Sequence, residues 1–244
     1  MCTATWFPTA DGYELFFNRD ELRSRRRASA PARFHAGVLA AAAPTDTDAG
    51  GTWLATNENG LTVALLNRYQ DSVDTATDDR RRSRGLLVRD LVAEPSLGAV
   101  LERVAGLELD VYAPFTLLLL APGKDATTLF WNGRRLSPSR QAMAPLASSG
   151  HKPLAVPAAR RELWAGIPLV DRDACLRFHA AHEPSRGAES PCMHRYDART
   201  VSLIHVVVGA SAIRMFYADG PPCVSPLQLA VEMPRVARKD ADAA

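Results

Sequence analysis

No sustained apolar run opens this chain, so no secretory leader is expected. Its longest apolar stretch, residues 115–122, falls far short of the roughly 20 residues that span a bilayer. A strong charge of either sign is also missing. The 29 Lys and Arg nearly cancel 27 Asp and Glu, leaving a formal +2. That balance gives no basis for nucleic-acid or membrane binding. The arginine clusters (Arg23, Arg25, Arg26, Arg27 and Arg80, Arg81, Arg82, Arg84) lack interleaved aromatics and read as solvated loops. Only four cysteines occur, Cys2, Cys175, Cys192 and Cys223, with no CxxC pair, so free thiols are expected rather than a disulfide framework. His179-x-x-His182 with Cys175, and Cys192-x-His194, offer metal-ligating residue types. They lack the paired spacing of zinc knuckles, so no metal ligand set is assigned. The expectation is a cytoplasmic protein that handles a small molecule, with no nucleic-acid partner and no membrane span.

What remains is an ordinary globular composition, 47% hydrophobic over 244 residues, enough for a sizeable core. Residues 3–7 and 14–17 read as strands reversed at Asp11-Gly12, and 52–56 and 61–66 as strands reversed at Asn59-Gly60. Residues 23–50 look irregular, and 70–84 read as a polar loop. Helical periodicity appears at 84–92 and at 96–107, where Leu97, Val100, Leu101 and Val104 follow a capping Ser96. Strands are expected at 115–121 and 127–131, loop at 138–157, helices at 158–165 and 171–182, and a hairpin of 201–208 with 212–217. The tail from 221 onward is loosely specified. Hairpins, then helices, then hairpins imply an α+β layout in a single unit spanning 1–244.

The chemistry concentrates at the start. Cys2 follows the initiating Met1, and a small second residue favours Met1 removal. Cys2 would then carry a thiol and a free α-amine, a nucleophile with its own general base. A free thiol (about 8.5) and an α-amine (about 8) exchange a proton readily near neutrality. Arg19 would favour thiolate, Asp20 would orient the amine, and the Asn67 amide could donate to an oxyanion.

Met1-Cys2-Thr3, Asn18-Arg19-Asp20-Glu21, Gly50-Gly51-Thr52-Trp53-Leu54, Asn59-Gly60-Leu61 and Leu66-Asn67 occur in that order. Together they resemble the NRDE family, also called the transport and Golgi organisation protein 2 family. Ser83-Arg84-Gly85, residues 115–121 and Ala198-Arg199-Thr200 extend the resemblance. That family is similar to the cysteine-type N-terminal nucleophile hydrolases, which cleave bile-acid and penicillin amides. The resemblance implies a four-layer αββα sandwich, with Cys2, Arg19, Asp20, Asn67 and Arg199 at catalytic positions. Asn18, Trp53 and His194 are expected beside the substrate, with no cofactor required. A second Asn of those hydrolases is missing here, and Ser149 stands nearest its place. The family's association with haem handling implies an alternative, a non-catalytic haem or small-ligand carrier using Cys192-Met193-His194.

Overall fold

The computed structural model describes residues 1–69 and 82–236. Most of the 70–84 loop expectation therefore lies outside the described residues. Strands β1 (Cys2–Thr9) and β2 (Gly12–Leu22) form the first hairpin, followed by β3 (Ser29–Ala36), β4 (Leu39–Thr45), β5 (Leu54–Asn57) and β6 (Thr62–Asn67). Helices α1 (Arg84–Leu91) and α2 (Leu97–Ala105) precede β7 (Phe115–Leu120), β8 (Thr127–Trp131), β9 (Leu136–Ser139) and β10 (Leu146–Ser148). The order closes with α3 (Ala155–Ala165), α4 (Arg172–Ala180), β11 (Ala198–Val208), β12 (Ala212–Ala218) and β13 (Gln228–Pro234). Ser96 caps α2 as expected, its hydroxyl accepting from the Ala99 amide.

Two antiparallel sheets result. One runs β10-β1-β2-β11-β12-β13 and the other β3-β4-β5-β6-β7-β8-β9. Their facing surfaces bury Ala4, Leu15, Phe17, Ile204, Val206 and Met215 against Leu54, Ala64, Leu66 and Leu118. The outer face of the seven-stranded sheet carries α1 and α2 through Leu87, Leu91, Val100 and Val104. The outer face of the six-stranded sheet packs Phe16 and Leu203 against Cys175 of α4, with Trp164 of α3 alongside. The layers are therefore α, β, β, α, the sandwich expected from the sequence.

Three stretches depart from the sequence reading. Residues 29–45 are not irregular but pair as β3 and β4 at one edge of the larger sheet. Their alanines hid them. Ala42 faces the opposite sheet while Ala41 and Ala43 face the helical layer, so no polar alternation is visible. Within 138–157, residues 146–148 form the short edge strand β10 against β1, and α3 begins at Ala155. The tail is also less loose than expected. β13 lines the edge of the smaller sheet and sends Val231 and Met233 into the core. Among the described residues no helix is long and apolar enough to cross a membrane.

The outer face of β2 carries a polar cluster. Glu14 accepts from Arg172 at 2.9 and 2.6 Å and lies 2.8 Å from His205 Nε2. Burial pushes the Glu14 carboxyl up, but the hydrogen bonds from His205 and Arg172 win and hold it at about 2. An unfolded Glu titrates near 4.3, so this contact stabilises the fold above that pH and is lost as pH falls towards 2. Wild type is expected to lose stability more steeply than Glu14→Gln between about pH 5 and pH 2 in urea denaturation. Parallel curves would contradict the assignment.

Candidate active site

Cys2 begins β1 and is flanked on both sides. It pairs with Arg19 of β2 and with Ser148 of β10. Cross-strand partners share a face, so Arg19 and Ser148 lie on the side of the sheet that Cys2 occupies. Cys2 is buried, at 8% exposure, and lines a cavity of about 230 Å³ with Arg19, Trp53, Asn67, Asp46 and Gly85. The cavity is open between the sheets, because Asn67 ends β6 in the opposite sheet. Its wall depends on two glycines. A Cβ on Gly51 would sit 2.5 Å from the Gly85 carbonyl carbon, so only glycine lets this loop touch the start of α1. The Thr52 amide then donates to the Gly85 carbonyl at 3.0 Å.

Arg19 is placed beside the cysteine but is not free. It meets Asp46 at 3.3 Å and Glu21 at 3.5 Å, and its guanidinium lies 4.4 Å from the centre of the Trp53 ring. Arg25 joins the same carboxylates, 2.6 Å from Asp46 and 3.7 Å from Glu21. These acids spend much of the arginine charge. Burial pushes the Cys2 thiol up; the chain-terminal amine and Arg19 oppose it, while Asp20 adds to it. The thiolate that Arg19 alone would favour is therefore not the resting form with Met1 in place. Arg25 is thus an exposed loop residue, as expected, that also lines the mouth of the cavity.

The Asn18-Arg19-Asp20 segment does not act as one cluster. Strand alternation turns Asn18 and Asp20 to the helical side, away from Cys2. Asn18 donates to the carbonyls of His179 and Pro191, a packing role rather than a place beside a substrate. The Asp20 carboxylate is fully buried, 3.0 Å from Arg160 of α3, and accepts from Thr200 at 2.6 Å. Arg160 also donates to Thr3 Oγ1 and to the Ala188 carbonyl. Asp20 does reach the chain terminus, through its backbone. Its amide donates to the Met1 carbonyl and its carbonyl accepts from the Met1 amine, both at 2.8 Å. The carboxylate that was to orient the amine instead anchors α3 beneath the strand.

Asn67 lies in the cavity with its amide donating to Tyr69 Oη at 3.0 Å, which leaves a second amide proton. Trp53 forms part of the same wall. Arg199 pairs with Glu21 across β2 and β11, and lines a neighbouring cavity of about 300 Å³ that shares Arg19 and Glu21 with the first. It stands one strand further from Cys2 than a direct wall position. His194 is elsewhere, 3.5 Å from the Cys192 sulfur and 3.3 Å from that of Cys223, while Cys192 and Met193 are fully buried. Ser149 Oγ lies 2.8 Å from the Met1 sulfur. Sequence reasoning passed over Ser148, which faces Cys2 directly and whose buried hydroxyl has no partner among the described residues. Asp46 was missed too, because it lies in the stretch read as irregular.

Known structures share this arrangement of layers. A cysteine-to-alanine mutant of the conjugated bile acid hydrolase from Clostridium perfringens superposes with a TM-score of 0.60 at 10% identity. The match covers 98% of this chain and 99% of that one. An arginine-to-leucine variant of the same hydrolase gives 0.52 at 11% identity, covering 99% and 100%. Penicillin V acylase from Agrobacterium tumefaciens gives 0.49 at 11% identity over 88% and 82%. The two bile acid hydrolase matches show the fold, that of the N-terminal nucleophile hydrolases. Residues 1–152 match the family Transport and Golgi organisation 2, and the chain belongs to that family. No curated protein matches it in sequence.

Proposed function

We propose that this protein is an N-terminal-cysteine hydrolase that cleaves the carbon–nitrogen bond of a small acyl amide. The observation that carries the reading is Cys2 at the start of a central strand, at the wall of an open cavity that also holds Arg19 and Asn67. Loss of Met1 places the α-amine on Cys2 itself, where it takes the thiol proton. The thiolate attacks the amide carbonyl, forming a carbon–sulfur bond and an oxyanion. The remaining Asn67 amide proton donates to that oxyanion, a contact whose loss typically costs about 3–4 kcal/mol of barrier. The Cys2 ammonium returns the proton to the leaving nitrogen as the carbon–nitrogen bond breaks. Water then hydrolyses the thioester and regenerates the thiol. Arg19 contributes here once a substrate carboxylate or the thiolate competes for it with Asp46 and Glu21.

The test is an electrophilic acyl-amide probe applied to protein whose intact mass shows Met1 removed. Labelling is expected at Cys2 and to vanish in Cys2→Ser. Adducts at Cys175, Cys192 or Cys223 instead would sink the assignment.

A further inference from the structure

Away from the cavity, the long connection from α4 to β11 and the one from β12 to β13 bring together a set of side chains that amide hydrolysis does not use. His182 follows α4, Cys192 and His194 precede β11, and Cys223 sits in the turn before β13. One ligating atom from each of these four residues lies within 4.8 Å of every other. We propose that His182, Cys192, His194 and Cys223 form a tetrahedral site for a zinc-class divalent ion that locks these loops together.

The distances fit the ion. Zinc–sulfur bonds near 2.3 Å and zinc–nitrogen bonds near 2.05 Å, at tetrahedral angles, set sulfur and nitrogen about 3.5 Å apart. His194 Nε2 stands 3.5 Å from the Cys192 sulfur and 3.3 Å from the Cys223 sulfur. His182 supplies an independent sign. Its Nε2 is buried and has no hydrogen-bond partner among the described residues, a cost that a metal bond removes. Its ring centre lies 5.1 Å from that of His194.

The backbone holds these groups in place. The Cys192 amide donates to the Ala181 carbonyl at 3.0 Å, tying the cysteine to the residue before His182. The His194 amide donates to Arg186 at 2.9 Å, and the Thr200 amide to the Met193 carbonyl at 2.9 Å. The Val224 and Ser225 amides both donate to the Pro221 carbonyl, forming the turn that presents Cys223. Cys192 is buried while the other three are partly exposed, which leaves a route of entry. Two sulfurs and two imidazole nitrogens suit zinc, whereas magnesium and calcium prefer oxygen donors. Binding releases the two thiol protons to solvent, and the two thiolates cancel the ion's charge.

The residue types were visible in the sequence, but the set was not. His179 is excluded because its Nε2 is 2.9 Å from Thr5 Oγ1, and Cys175 because it packs in the core beneath β2. Cys223 replaces them, from a tail that carries no spacing signal.

The test uses the full chain, independently of any activity. Protein expressed with zinc is expected to hold about one zinc per chain by elemental analysis. Protein expressed in cobalt-supplemented medium is expected to show sulfur-to-cobalt charge-transfer bands and the intense visible bands of tetrahedral cobalt. Cys223→Ser and His182→Ala are expected to weaken zinc binding on the order of 100-fold or more, while Cys175→Ala keeps it. The wild-type cobalt spectrum counts thiolate ligands even if a variant fails to fold. Metal-free wild type, a Cys192–Cys223 disulfide in non-reducing peptide mapping, or an unchanged cobalt spectrum in Cys223→Ser would each overturn the site.

Discussion

Arg160→Ala is expected to destabilise the fold by about 3–5 kcal/mol in urea denaturation, the largest loss foreseen for any single side chain here. The reason is the company Arg160 keeps. It and Asp20 have no exposed side-chain surface, and they meet at 3.0 Å between α3 and β2. Truncating the guanidinium leaves Asp20 as a buried carboxylate with only Thr200 to compensate it. It also strips a donor from Thr3 and from the Ala188 carbonyl. The double change Arg160→Met with Asp20→Asn is expected to recover most of the loss, because buried ion pairs gain little over a well-packed neutral pair. If Arg160→Ala costs less than about 1 kcal/mol, the pair does not hold α3 to the sheet.

The second large effect concerns the chain terminus. An uncleavable extension ahead of Met1 is expected to lower acyl-amide turnover by roughly 10²–10⁴ without changing the melting temperature. The thiol remains, but no α-amine stands on Cys2 to take and return the proton. Comparing the extended protein with one of confirmed free Cys2 terminus separates proton transfer from folding. Equal kcat values in the two forms would show that another group acts as the base.

The hairpins and the amphipathic helices announced themselves, because Asn59-Gly60, Ser96 and the spacing of Leu97, Val100, Leu101 and Val104 are local signals. β4 did not, since a strand buried on both faces and built from alanine shows no polar alternation, and β3 is a mostly exposed edge strand without a clear apolar period. β10 is three residues long, too short for any period to appear. At the site, Cys2, Arg19, Trp53 and Asn67 were readable as an ordered set of motifs, and they do converge on one cavity. Reading Asn18, Arg19 and Asp20 as a single patch ignored the two-residue period of the strand that carries them. Ser148, Asp46 and Arg160 are long-range partners, which no local pattern in one sequence reveals.

The neighbours of β2 come from opposite ends of the chain. β1 lies just before it, whereas the contact from Asp20 to Thr200 of β11 spans 180 residues. Closing so long a loop is entropically slow, so the sheet that carries Cys2 is completed only after most of the chain has been made. Until then the edge of β2 that faces β11 is unpaired. In the finished sheet the Met1 amine and carbonyl are both tied to Asp20. Under the proposed function, removal of Met1 has to precede or break these two hydrogen bonds.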